Sequence, residues 1–450
     1  MHVQADRSYL TRTLRLPAQQ FFHAETIGAV VLLLAAIAAL VWANSPWKDN
    51  YHDLLHRLIT VDVSWFAVSL DIEHWINDGL MAIFFFVVGM EIKREMVHGE
   101  LSDRRKAALP VLAALGGMIA PALIYFAFTG TGDGAKGWGI PMATDIAFAL
   151  GALALVGRGL PKELRTLLLA LAVADDIGAI LVIAVFYTDA ISWSHLGIAA
   201  ALIGGLVLMN RIGVRQVAFY ILVGALAWVA MLKSGVHATI AGVAIGLLTP
   251  AEPYLERKEF GEVAPPLVDD YQKALAANDT EAAGVILGRI EELAEATESP
   301  LERLERQVHP WSSFLILPIF ALANAGIELT GDAISDAASS PVTQGVLFGL
   351  LAGKAIGITL FSWLSVRLGI AALPTGVTWK HVFGVGILGG IGFTVAIFIS
   401  GLAFDNETFV ADAKIGIFAA SLIAGILGFL YLRLVTGRSA QRDNSPIDNP

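Results

Sequence analysis

Apolar stretches of roughly 20 residues recur along the chain, the length a helix needs to cross the hydrocarbon core of a bilayer. In lipid, every backbone N–H and C=O must be paired internally, so only helices and closed barrels span a membrane. A barrel would show strands of about 10 residues with alternating polarity. These runs are continuous instead, as in ALAVADDIGAILVIAVFY at 170–187. Charged residues make up only 16% of the 450-residue chain, where a soluble domain carries about 25%. The expected fold class is an all-α polytopic membrane protein. Twelve spans are predicted, at about 26–43, 74–92, 107–128, 138–157, 164–188, 195–210, 216–232, 236–250, 310–328, 342–368, 382–403 and 411–434.

Cytoplasmic segments of membrane proteins carry the excess of Lys and Arg. With the N-terminus placed in the cytoplasm, Lys48, Arg57, Lys136, Lys233 and Lys414 fall outside and Lys354 falls within a span; the other 24 of the 30 Lys and Arg lie inside. Both termini are therefore expected in the cytoplasm. The expected division is a cytoplasmic N-terminal segment 1–25, spans 1–8 over 26–250, a cytoplasmic acidic and helical insert 251–309, spans 9–12 over 310–434 and a cytoplasmic tail 435–450. The apolar run Thr26–Ala43 is too long for a signal peptide and reads as a retained helix. ITVDVSWFAVSLDIE (59–73) alternates polarity and predicts a short external β-hairpin, with an irregular loop as the alternative. SPLE at 299–302 is a capping box with proline at the first helical position. The insert reads equally as a regulatory element or a linker.

Asp175 and Asp176 stand about eleven residues from either end of their predicted span. An aspartate at the bilayer midplane costs roughly 2.5–3.5 kcal/mol on insertion scales, so two together are expected to serve a substrate. Neighbours on a helix are about 100° apart, so the pair either lines one cavity or faces two partners. Lys354, in VLFGLLAGKAIGITLF, lies at a similar depth and can meet an aspartate there, as a structural ion pair, a titrating group or both. Asp145 follows Pro141 and Thr144 in GWGIPMATDIAFALGALALVG, where proline and glycine predict a span broken near its middle. VFGVGILGGIGFTVAIFISG, with Gly386, Gly389, Gly390 and Gly392, predicts a second. Spans 3–5 and 10–12 begin on opposite sides, each with its broken helix second. They read as an inverted repeat whose breaks cross near the midplane, a pattern that marks transporter binding sites. Asp145 is expected to neutralise exposed helix N-termini there, and Lys354 exposed C-termini.

Taken together, these motifs resemble those of the NhaA-type sodium/proton antiporters, from about Phe21 to Arg433. The resemblance rests on WINDGLMAIFFFVVGMEIKRE (75–95), IPMATDIAFALG (140–151), ADDIGAI (174–180), LKSGVHATIAGV (232–243), HPWSSFLILPIFALANAG (309–326), GKAIGI (353–358) and GIGFTVAIF (390–398). Inverted repeats with interrupted helices are already characteristic of that family, so the pattern supports the resemblance and is not new. The resemblance implies that Asp175 and Asp176 bind Na⁺ or Li⁺ and exchange it for protons, with Asp175 paired to Lys354. It implies that Thr144 and Asp145 stand beside the ion, and that His237, Glu91, Arg94, Glu95, Glu305 and His309 serve pH response at a cytoplasmic funnel. It further implies a bacterial inner membrane location, no cofactor, an electrogenic cycle and a homodimer formed through the hairpin. Three features depart from the family: the insert is long, Arg306 stands where a histidine is familiar, and Ala355 where a proline commonly follows the lysine.

The chemistry suits antiport. Sodium takes carboxylate, hydroxyl and freed carbonyl oxygens, and protons compete for the same carboxylates, which titrate as one coupled unit. The alternative is a proton- or sodium-coupled carrier of another solute on the same scaffold. An intramembrane aspartyl protease is disfavoured. The chain has a GxGD at Gly130–Asp133 and a PAL at Pro121–Leu123, but the GxGD lies between spans and adjacent aspartates cannot flank a scissile bond. A channel would need a continuous pore. With no cysteine, disulfide and thiolate chemistry are excluded. The net charge of −10 sits largely in loops and the insert, and no nucleic acid partner is expected.

Overall fold

The computed structural model describes residues 17–63, 66–157, 159–188, 191–214, 217–255 and 257–443. The Ser64–Trp65 break in the alternating segment, the N-terminal segment up to residue 16 and the tail beyond 443 lie outside the described residues. The chain opens with α1 (Pro17–Ala43) and the short α2 (Lys48–Leu55). Strands β1 (Leu58–Val63) and β2 (Phe66–Asp71) follow as an antiparallel pair in which Thr60 faces Ser69 and Val61 faces Val68. Asp71 caps α3 (Ile72–Val97), accepting from the His74 N–H at 2.7 Å. Then come α4 (Arg104–Thr129), a 3-10 segment (Asp133–Met142), α5 (Ile146–Val156), α6 (Lys162–Phe186), α7 (Trp193–Arg211), α8 (Val217–Leu232) and α9 (Thr239–Leu248). The insert supplies α10 (Arg257–Ala276) and α11 (Thr280–Ala296), which pack on each other. It leads through α12 (Pro300–Trp311) and a π-turn to α13 (Leu317–Asn324). The chain closes with α14 (Gly331–Ser339), α15 (Pro341–Arg367), α16 (Trp379–Leu388), α17 (Phe393–Ala403) and α18 (Glu407–Asp443).

Among the described residues, six helices are long and apolar enough to cross a membrane: α3, α4, α6, α7, α15 and the Glu407–Thr436 part of α18. The count rises to nine if three bent pairs each make one span. These are the Ile27–Ala43 part of α1 with α2, bent by 115°, the 3-10 segment with α5, bent by 44°, and α16 with α17, bent by 50°. Helices α8 and α9 are apolar but shorter, being separated by the Ser234–His237 turn. The ninth expected span is the end of a longer helical run whose first part, α12, is charged.

Burial sorts the helices by role. Helix α6, which carries both aspartates, is buried over most of its apolar length, whereas α7 is buried over little of it. Large apolar side chains such as Leu34, Val41, Leu155 and Phe186 face outward, as lipid requires. Two close crossings depend on glycine. A Cβ on Gly116 of α4 would strike the Gly357 carbonyl of α15, and one on Gly357 would strike that of Gly116. Likewise a Cβ on Gly242 or Gly246 of α9 would strike the Ala82 or Phe86 carbonyl of α3. Small residues let helix backbones approach closely where no hydrophobic driving force acts, so α4 with α15, and α3 with α9, form two tight pairs.

Candidate ion-binding site

The two broken pairs meet where the 3-10 segment ends and where α16 gives way to α17. The Asp145 N–H donates to the Ile391 carbonyl at 2.6 Å, and the Thr144 hydroxyl donates to the Gly389 carbonyl at 2.9 Å. The Asp145 carboxylate then serves two helix ends. Oδ1 accepts from the Phe148 N–H of α5 at 3.1 Å; Oδ2 accepts from the N–H of Thr394 in α17 at 3.0 Å and from its hydroxyl at 2.5 Å. A helix N-terminus carries unpaired N–H groups and a partial positive charge. One buried carboxylate thus satisfies both half-helices at the crossing.

Helix α6 lays Asp175 and Asp176 against this crossing. Asp175 and Lys354 have no exposure to solvent, and Thr144, Asp145 and Asp176 are buried. Lys354 Nζ forms an ion pair with Asp175 Oδ2 and donates to the carbonyl of Met142, the last residue of the 3-10 segment. Lys354 therefore neutralises both an aspartate and a helix C-terminus. A π-turn, Gly349–Gly353, immediately precedes it. Among the described residues, Oδ1 of Asp175 and Oδ1 of Asp176 are buried acceptors with no hydrogen-bond partner. Leaving buried carboxylate oxygens unpaired is costly, so these two atoms call for a cation, a proton or water.

A cavity of about 80 Å³ connects this centre to the charged end of α3. Thr144, Asp145, Asp176 and Thr394 line it at one end, and Glu91, Arg94 and His309 at the other. Arg94 pairs with Glu305, and His309 Nε2 stands 3.7 Å from Glu91 Oε1. In α12, which precedes the ninth expected span, burial lifts the Glu305 carboxyl to about 7 against the opposing pull of Arg94. Glu95 is buried near this group but turns to its own helix end, accepting from the Glu100 N–H at 3.2 Å.

His237 does not join the other five. Its ring contacts the carbonyl of Tyr187, just past the end of α6. That is eleven residues beyond Asp176, about 16 Å along a helix, while the Tyr187 hydroxyl binds the Lys136 carbonyl and the Gly139 N–H. The six residues grouped as pH-responsive thus fall at two separate places. Four contributors to the site are not expected from the sequence: Thr394 and the carbonyls of Met142, Gly389 and Ile391. Thr394 had a signal, since it follows the second break at a helix start, where hydroxyls cap.

A family model described as Na+/H+ antiporter 1 matches residues 19–432. The chain belongs to that family. A protein of Syntrophotalea carbinolica named Na(+)/H(+) antiporter NhaA 2 is 47% identical over 438 residues, covering 95% of this chain and 98% of its own. Proteins named Na(+)/H(+) antiporter NhaA from Rhodopirellula baltica and Oleidesulfovibrio alaskensis are each 46% identical, covering 92% and 95% of this chain and 92% and 96% of their own lengths. With its apolar helices, this Na+/H+ antiporter family member is a multi-pass membrane protein.

Proposed function

We propose that the chain exports Na⁺, and Li⁺, in exchange for H⁺ across a bacterial inner membrane, by alternating access and under control of pH. The observation that carries this reading is the pair of unpartnered oxygens on Asp175 and Asp176, with Lys354 paired to Asp175 and Asp176 lining the cavity. Sodium is a cargo that takes oxygen ligands. Asp176, Asp175, the Thr144 hydroxyl and Asp145 concentrate such oxygens at one depth. Protons bind the same carboxylates, so either ion displaces the other. Lys354 holds Asp175 while the site is empty and releases it when ion or proton arrives. In this reading the closely packed α4–α15 pair belongs to one moving body and the closely packed α3–α9 pair to the other.

The wider assignment belongs to the same reading. Twelve spans with both termini cytoplasmic, an inverted repeat of spans 3–5 and 10–12 and a cytoplasmic insert at 251–309 are supported by the basic-residue distribution and by the bends in the two glycine- and proline-marked spans; a homodimer through the external two-stranded sheet rests on the family resemblance. Glu91, Arg94, Glu305 and His309 gate the inner mouth, with Glu95 beside them; His237 acts from the other end. A coupled carrier of an organic solute is disfavoured by size, because about 80 Å³ is far below the roughly 300 Å³ at which small-molecule pockets begin.

Everted membrane vesicles with a respiration-driven pH gradient test the reading. NaCl and LiCl are expected to dissipate the gradient, more strongly at alkaline pH, and the Asp176→Asn protein to give no response. Normal exchange by Asp176→Asn would sink the site assignment.

A further inference from the structure

Helix α12 fastens the insert to the inner mouth, where Ala251 also packs with Val87 and Met90. Helix α12 has two working faces. Leu301, Leu304 and Val308 pack on Phe86, Val87 and Met90 of α3, and Glu305 on the same face reaches Arg94. The opposite face carries Arg303 and Arg306. Arg303 Nη1 meets Glu295 Oε2 of α11 at 3.3 Å. Arg306 grips Glu298 with both guanidinium arms, Nη1 to Oε1 and Nη2 to Oε2, the second at 2.7 Å. A two-pronged Arg–carboxylate fork, joined to a second pair, is the geometry in which surface ion pairs hold a position.

The backbone adds to the joint. The Ser299 hydroxyl accepts from the Glu302 N–H at 3.1 Å, and Glu302 returns the bond to the Ser299 N–H at 3.4 Å. The Leu301 N–H donates to the Pro250 carbonyl at 3.0 Å, tying the two roots of the insert together. The Tyr254 and Leu255 N–H groups both donate to the Ala296 carbonyl, closing the base of the hairpin. A load on the insert is therefore borne where α12 begins, about one and a half turns before Glu305 and two and a half before His309.

We propose that Arg303 and Arg306 are positioning residues: through Glu295 and Glu298 they fasten the insert to α12 and hold Glu305 and His309 against Arg94 and Glu91, so that the insert's attachment sets the pH at which exchange switches on. The inference rests on the antiport reading. The charged groups on elements around α12 are Glu91, Lys93, Arg94 and Glu95 on α3, Glu295 and Glu298 at the insert, and Asp145 and Asp176 across the cavity; Glu302, Arg303, Arg306 and His309 lie on α12 itself. With the joint broken, α12 loosens and water reaches Glu305. Its proton then leaves at lower pH, and exchange switches on under more acid conditions.

The test uses the full-length protein with Arg306→Glu, Glu298→Arg and the two combined. Each single change is expected to move the half-activation pH of Na⁺-driven exchange acidward by about 0.5 unit or more, and the charge-swapped pair to restore it. Maximal exchange at alkaline pH stays within about two-fold of wild type, because neither residue lines the cavity. Hydrogen exchange across Leu304–Val308 reads the geometry without transport: each single change is expected to speed it about 10-fold, and the swap to reverse this. Unmoved pH midpoints with unmoved hydrogen exchange overturn the proposal, as does a swap that behaves like the singles. If Arg306→Glu does not fold, Glu298→Gln and Glu295→Gln carry the same expectations from the insert side. Absence of Na⁺-driven exchange in the wild type would refute the antiport reading and with it the pH-setting role, while hydrogen exchange would still decide whether the joint holds α12.

Discussion

Asp145→Ala removes a carboxylate that serves two helix starts at once. Its Oδ1 caps α5 at Phe148, an interaction worth about 1 kcal/mol. Its Oδ2 takes two bonds from Thr394, and bonds to a charged group are worth about 1.5–3 kcal/mol each. The gross loss is therefore about 4–7 kcal/mol. Relief of the buried charge offsets part of it, leaving on the order of 3 kcal/mol. Each kcal/mol shifts the melting midpoint by about 2–4 °C in chains of 150–250 residues, and by less in a longer chain. We expect Asp145→Ala to melt about 3–6 °C below wild type in detergent, followed by tryptophan fluorescence. Asp145→Asn, which keeps one acceptor oxygen, should fall between them. An Ala variant melting within about 1 °C of wild type would refute the reasoning, because the two half-helices would then not depend on this carboxylate.

Two further outcomes follow from the same geometry. Lys354→Met leaves Asp175 buried without its partner and is expected to cost about 3–5 kcal/mol in unfolding experiments, most of it recovered when Asp175→Asn is added; a double variant no more stable than Lys354→Met would contradict this. Glu305, lifted to about 7 from an ordinary 4.5, keeps its proton when folded over a range where the unfolded group has lost it. Its contribution to the docking of α12 is full below about 4.5 and is lost as pH rises through about 7, by roughly 3 kcal/mol. Opening of α12, measured by hydrogen exchange corrected for intrinsic rate, should rise over that window in wild type and stay level in Glu305→Gln.

Much of the centre was legible because charge in an apolar run has few explanations. Lys354 and Asp175 were expected at one depth, and the structure pairs them. Asp145 was expected at exposed N-termini, and it meets those of α5 and α17. The glycine- and proline-marked breaks appear as bends of 44° and 50°. Other features left little trace. The π-turns at Ser312–Ile316 and Gly349–Gly353 each add one residue to a helical turn, which periodicity over a span averages away. Carbonyl acceptors such as those of Met142 and Gly389 have no side-chain signature. The Arg306–Glu298 fork joins exposed charges that any soluble helix could carry. His237 was grouped with the inner-mouth residues by motif, although the span assignment already put it at the opposite end of its helix, where the folded chain sets it against Tyr187.

The central claim is that sodium and protons compete for Asp175 and Asp176. It is tested most directly by adding NaCl to purified, weakly buffered protein in detergent and following released protons with a pH-sensitive dye. The account predicts saturable proton release with Na⁺ and Li⁺ from wild type and none from Asp176→Asn. Sodium binding without proton release in wild type, or equal release from Asp176→Asn, would contradict it.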